Sequence, residues 1–487
     1  MSAELLIDKP NSLSAGVRIL GRPAERDFKV TLLLALAHLP LGIVLYNSGP
    51  LAILHPLVVF GFGMFLAVKK QVAMANVVLV VGYIIGAEVL WRMAGIPVFW
   101  ESGKYMSAAI LVVALVRRRR FQIPMVPLAY FAFLLPSCVL ALVESNPSSV
   151  IATISFNMSG PMLLVVSCWF FQNTRLRPFQ FKRMLIAVIL PLLSIALTTL
   201  FYTVTSEDLQ FTGESNLATS GGFGPNQVSS MLGLGVFLSL TGFILFEKRF
   251  RFSSFFGISS LFLAAMSVMT FSRGGLYNAI GGIIILSIFQ FRDVSTSLKR
   301  LAPVLILGTV FILVIFPYLN AFTDGALGDR FEDTGTTNRW EIMQADTEIF
   351  LENPLFGVGV GEAYDNRKRF LGGVGAVSHT EFTRLLSEHG AFGLAALAAF
   401  AVIGFINLRR PNSRPGKAFI AGAIAWSFFF MMNAGMRLAA PSLMLGLAYV
   451  TIASLRMRLP SVSMKESRQP VKMRFAAGSA GSFSKTQ

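Results

Sequence analysis

Charge is scarce in this sequence. Only 14% of the 487 residues are Asp, Glu, Lys or Arg, where a soluble domain carries about a quarter. Apolar residues make up 54%, mean hydropathy is +0.64, and an aqueous globular fold is excluded. The apolar residues run for roughly twenty positions at a time, enough to cross the hydrocarbon core as helices. They do not alternate, which argues against a barrel. Cysteine is scarcer still. Cys138 and Cys168 are the only two, each inside an apolar run and neither in CxxC or CxxH spacing. A disulfide framework is therefore excluded and a zinc site disfavoured; both read as small buried hydrophobes. No cleavable leader is legible either. Residues 1–28 are polar and of mixed charge, and the first apolar run opens at Val30, so the first helix is expected to insert and stay.

Positive charge is in surplus, with a formal net charge of +17. In a membrane protein such an excess first reports orientation, because Lys and Arg gather in cytoplasmic loops. Fourteen apolar segments lie between residues 29 and 455, the weakest being 101–116 and 150–171. With the N-terminus inside, thirty-two of the 42 basic residues fall on the cytoplasmic side. Six of the remaining ten lie in one long loop, 320–389, where the orientation rule loses force. The expectation is an all-α polytopic membrane protein of about 12–14 transmembrane helices, with one long, partly helical periplasmic loop and both termini cytoplasmic. Its parts would be a cytoplasmic segment 1–28, helices over 29–319, the outer loop 320–389, helices over 390–455 and a basic tail 456–487. That tail is expected to be disordered and to lie on anionic lipid. With the charge explained by orientation, nucleic acid is not expected as a partner.

The long loop carries the polar chemistry. Asn338 followed by Glu341, and Ser378 followed by Glu381, both resemble capping boxes. Trp340, Met343, Thr347, Phe350 and Leu351 follow the first at helical spacing; Phe382, Leu385 and Leu386 follow the second, with Gly390 closing the turn. Arg339 and His379 would each stand at a first helical position, where free N–H groups suit a phosphate and disfavour imidazolium. A neutral His379 could accept a proton from an attacking hydroxyl; a plain surface histidine would read the same way. GVGVG at 357–361 follows a helix rather than a strand, so it is read as a flexible turn near a ligand or the membrane, not as a dinucleotide site. Glu388 and His389 lack HExxH spacing, and no metal site is expected.

FSRGG at 271–275 forms a hairpin turn on the outer face. Arg273, between apolar runs, is a candidate functional charge or a snorkelling anchor, and Gly274 and Gly275 would let another element, or a lipid headgroup, come close. Loop 205–225 carries Glu207, Asp208 and Glu214 with no basic residue, then enters a helix at Pro225, where Asn226 or Gln227 could meet a sugar. Arg437 reads as an anchor in a short outer turn.

SRGG at a membrane edge, then NRW at 338–340, NPLFGVGVG at 353–361 and SHTEFTRLLSEHG at 378–390 occur in this order on the outer side. Over residues 216–408 the pattern resembles the bacterial O-antigen ligase and polysaccharide polymerase superfamily. The resemblance implies a metal-independent, cofactor-free glycosyltransferase of the inner membrane. It would move a glycan from undecaprenyl diphosphate to an acceptor sugar hydroxyl on the periplasmic face. Arg273 and Arg339 would hold the diphosphate and His379 would activate or orient the acceptor. Ser378, Glu381, Arg384 and Asn226 are candidate supporting residues. Implied partners are the lipid-linked donor, a glycan or lipid A-core acceptor, membrane lipids and other polysaccharide-assembly proteins. Fourteen spans favour a polymerase over a ligase; a protein O-oligosaccharyltransferase shares the motifs. A lipid-linked sugar transporter is the alternative of another class, disfavoured because no internal repeat is legible.

Overall fold

The computed structural model describes residues 13–453, apart from 97–98, 119–120, 145–146, 207–208, 247–249, 292–293, 334 and 336–337. The expected basic tail 456–487, the acidic pair Glu207 and Asp208, and the loop cations Arg119, Arg120, Lys248, Arg249 and Arg292 lie outside the described residues. Among those described, eleven helices are long and apolar enough to cross a membrane. Three shorter apolar ones accompany them: Ser102–Val116, Gly274–Gln290 and Ala439–Tyr449. Together they coincide with the fourteen apolar segments, the two weakest included. Helix is what a bilayer demands, because each backbone N–H and C=O must find its partner within the segment. Proline opens several of them, at Pro147, Pro178 and Pro225, where its missing N–H costs nothing.

Loops expected on one side of the membrane meet one another. At one end, Arg117 donates to the carbonyls of Lys69 and Val72 at 2.5 and 2.7 Å. Lys182 and Arg183 grip Asp27 at 2.5 and 2.9 Å, and Arg251 reaches Glu25 at 3.3 Å. A short parallel pair joins Arg175–Leu176 to Thr451–Ile452 at this same end. At the other end, Arg92 donates to the Arg437 carbonyl at 3.2 Å and Arg273 to the Gly335 carbonyl at 3.2 Å. Several charges that enter the bundle there are paired. Arg92 meets Glu88 at 2.7 Å, Lys104 meets Glu101, and Glu88 accepts the Ala439 N–H at 2.7 Å. Removing one partner of such a pair would leave an uncompensated buried charge.

The helices at the end that holds Arg273 are clamped by glycine. A Cβ at Gly275 would lie 1.9 Å from the Ser229 carbonyl oxygen, and one at Gly233 would lie 2.0 Å from that of Gly275. Helices Pro225–Leu245 and Gly274–Gln290 thus touch backbone to backbone, the close approach that small residues permit inside membranes. The element expected to approach Gly275 is this neighbouring helix. Helix Gly274–Gln290 packs its other flank on Arg414–Asn433. The final loop residues run into one long helix, Glu381–Arg409, broken at Gly390 (φ 58°, ψ −135°).

Candidate functional site

The turn before helix Gly274–Gln290 is strained. Phe271 adopts φ 57°, an unusual state for a bulky side chain that costs about 1–3 kcal/mol. Arg330 Nε donates to its carbonyl at 3.1 Å, Ser272 Oγ donates to Asn226 Oδ1 at 2.8 Å, and Ser229 Oγ donates to the Ser272 carbonyl at 2.6 Å. These bonds aim Arg273 outward from the helix start. Its guanidinium donates to the carbonyls of Asp333 and Gly335. Arg330 pairs with Asp333 at 3.3 Å. Arg339 begins helix Arg339–Glu352 and donates to Asn433 Oδ1 at 3.2 Å, while Asn433 donates to Asn278 at 3.1 Å.

A cavity of about 620 Å³ opens among these groups, lined by Arg273, Arg330, Arg339, His379, Asn226 and Asn433, with Trp340 and Tyr277 on its wall. The sequence-expected Arg273, Arg339 and His379, separated by as many as 106 positions, therefore share one space. Arg273 and Arg339 have only neutral oxygens as partners among the described residues, so their charge is available to an anion. Burial, followed by Arg273 and Arg330, holds the Arg339 pKa below its usual value. An anion entering the cavity would relieve such crowding, and forked guanidiniums grip phosphate oxygens well.

His379 is not helical, contrary to the capping-box reading. Thr380 is the N-cap, accepting the Thr383 N–H at 3.1 Å, and the helix starts at Glu381. The cap moved because Ser378 is claimed elsewhere: its hydroxyl donates to Asp346 Oδ2 at 3.0 Å. Buried Asp346 also accepts Thr383 at 2.8 Å and Ser387 at 2.9 Å, and pairs with Arg367 at 2.6 Å. Arg367 in turn donates to the Ala376 carbonyl at 2.8 Å. His379 is thus set by a carboxylate of the neighbouring helix rather than by its own. Its pKa is pushed down to about 4, first by burial and then by Arg339, Arg437 and Arg367, not by a helix terminus. The ring is neutral at pH 7, as expected, for a different reason.

Of the candidate supporting residues, only Asn226 lines the cavity. Glu381, Arg384 and Ser378 lie buried behind it. Arg384 pairs with Glu381 at 2.5 Å and Glu388 at 2.6 Å, and Glu381 accepts the Met436 N–H at 3.0 Å. That lock fastens the 434–438 turn, which carries Arg437. Arg437 is no anchor: it is half-buried and donates to the Ser378 carbonyl at 3.4 Å, beside His379. Gln227 faces Arg92 at 3.0 Å rather than the site. Asn338 caps nothing with its side chain and holds φ 59°. Helix Arg339–Glu352 buries Ile342, Ala345, Asp346 and Ile349, whereas Trp340, Thr347 and Leu351 of the expected apolar stripe are exposed. GVGVG, expected as a flexible turn near a ligand or the membrane, is a turn docked on protein. Gly357, Gly359 and Gly361 have positive φ, and the loop docks on the next helix, with Val358 and Gly359 N–H donating to the Ser387 and Glu388 carbonyls. His389 is buried against Ser137.

Residues 258–398, which contain Arg273, Arg330, Arg339, Asp346 and His379, match the family model described as O-antigen ligase. Over those residues the chain is similar to the O-antigen ligase family. Glycosyl transfer at a membrane is the activity that goes with that family. No match was found among curated proteins. The O-antigen ligase segment ends before Asn433 and Arg437, so part of the cavity wall comes from outside it. Arg330, Asn433 and Asp346 were not legible as site residues. Asn433, the last residue of an apolar helix, carries no sequence signal at all.

Proposed function

We propose that this chain is an inner-membrane glycosyltransferase that moves a glycan from undecaprenyl diphosphate to an acceptor sugar hydroxyl on the periplasmic face, in polysaccharide polymerisation. The observation that carries this reading is the cavity shared by two guanidiniums without carboxylate partners among the described residues and a neutral imidazole. A diphosphate in that cavity would lie against Arg273 and Arg339, with Arg330 near. The acceptor oxygen attacks the anomeric carbon as the bond to the diphosphate oxygen breaks. The bonding pair leaves on the phosphate, where the guanidiniums stabilise it, and the acceptor proton passes to His379. Permanent cations already face the leaving group, so the arginines, rather than a metal, would carry that charge. Attack from the face opposite the diphosphate would invert the anomeric centre. The basic-residue asymmetry supports cytoplasmic termini and a periplasmic site.

The test is a reaction of purified protein with undecaprenyl-diphosphate-linked repeat units as both donor and acceptor, with His379→Ala alongside. A product ladder absent in the variant supports a polymerase. Transfer only after lipid A-core is added would make the chain a ligase with the same chemistry. No transfer to any acceptor would overturn the proposal.

A further inference from the structure

His379 lines a second space. A groove of about 1190 Å³ runs along the outer side of helix Arg339–Glu352, against residues 370–376, and shares Trp340, Met343 and His379 with the basic cavity. It is larger than an ordinary small-molecule site of ~300–1,000 Å³. The two spaces differ in charge. The first holds three arginines. The groove is lined by Glu341, Glu348, Gln344 and Thr347, with Trp340, Phe370 and Val374 as apolar surface, and by no Lys or Arg among the described residues.

The cations of the adjoining segment are engaged elsewhere. Arg367 is buried on Asp346 at 2.6 Å, Lys368 pairs with Asp365 at 2.5 Å, and Arg369 pairs with Glu352 at 3.1 Å. Trp340 stands 57% exposed and Val374 67% exposed, apolar surface that a water-facing loop does not need for its own packing. Aromatic faces beside carboxylate, amide and hydroxyl groups suit sugar rings. The C–H face of a pyranose lies on the indole, and its hydroxyls donate to Glu341 or Glu348.

We propose that this groove is the acceptor-glycan subsite. It would take uncharged or amine-bearing sugars and exclude uronate- or phosphate-bearing ones. The inference rests on the transferase reading and deepens it. Donor and acceptor approach His379 from two sides, sorted by charge: the anionic diphosphate by the arginines, the neutral glycan by the acidic groove. Like-charge repulsion at Glu341 and Glu348 is what would reject an anionic sugar.

The experiment is a binding titration on the full chain in nanodiscs with three probes. These are undecaprenyl diphosphate, the oligosaccharide released by mild acid from the lipid-linked pool of the encoding organism, and an oligogalacturonate. The wild type should bind the first two and refuse the third. Gln344→Ala with Glu348→Ala should weaken the oligosaccharide about tenfold, the loss of one charge-assisted hydrogen bond, with undecaprenyl diphosphate unchanged. Arg339→Ala should do the reverse, and Glu348→Arg should admit the oligogalacturonate. An oligosaccharide that fails to bind the wild type, or that is lost with Arg339 and kept without Gln344 and Glu348, overturns the groove assignment. Failure of undecaprenyl diphosphate to bind would instead remove the transferase reading beneath it.

Discussion

His379 presents an electrostatic problem with a built-in answer. As the proposed base, an imidazole whose pKa lies at about 4 is neutral but weak, and efficient bases sit nearer the working pH. Three of the four causes of that low value are burial and the charges of Arg339 and Arg437. A bound diphosphate would compensate Arg339 and raise the imidazole pKa, so donor binding would strengthen the base just when it is needed. The sign follows: a neutral imidazole is required, so rate falls as pH drops through its pKa. The acid limb of kcat/KM should lie near pH 4, that of kcat at higher pH. Paired pH–rate profiles check this, and coincident limbs would contradict it. His379→Ala should lower kcat by roughly 10²–10⁴-fold. Arg339→Lys should retain charge yet lose turnover and donor affinity, because an ammonium cannot fork onto phosphate; steady-state kinetics against the lipid-linked donor would read both.

At the level of elements, the site depends on two junctions. Helix Arg339–Glu352 holds the His379 loop through Asp346, whose three hydroxyl donors and Arg367 partner make a closed network. Asp346→Ala leaves buried Arg367 unpaired, a loss of about 3–5 kcal/mol, and frees residues 376–380. A fall in thermal stability should accompany a fall in kcat, and an unchanged melting temperature would argue against the network. The second junction is the contact between helices Pro225–Leu245 and Gly274–Gln290. A methyl group at Gly275 cannot fit beside the Ser229 carbonyl without moving backbone, so Gly275→Ala should destabilise by about 1–3 kcal/mol. It should also weaken binding of undecaprenyl diphosphate, because Arg273 stands at the start of the displaced helix. Both effects would appear in one thermal-shift titration with that lipid.

Across the whole molecule, polar chemistry gathers at one end of an apolar bundle. The lipid carrier of the proposed donor requires this, since its chain belongs in the bilayer and its diphosphate in water. The membrane orientation has a direct check. Thr212 and Gln71 are exposed at opposite ends, and the native Cys138 and Cys168 are buried and should stay silent. An impermeant thiol reagent added outside spheroplasts should label Thr212→Cys and spare Gln71→Cys. The opposite pattern would reverse the proposed topology.

Helices, their approximate ends and the end of the bundle each loop joins were legible in the linear chain. A bilayer reduces these to local rules: about twenty apolar residues per span, every backbone bond made internally, and basic residues held to one side. Arg273, Arg339 and His379 were legible because each sits in a polar motif that an apolar surrounding makes conspicuous. Their meeting was decided only by packing. So were Asn433 across from Arg339, Arg330 beneath the Phe271 turn, and the groove on the far side of His379, because each joins residues on different helices. The capping box at Ser378 was misread for the same reason. Local spacing sees the bonds a Ser can make within its own turn, and Ser378 found a better acceptor in Asp346, 32 residues away in the chain.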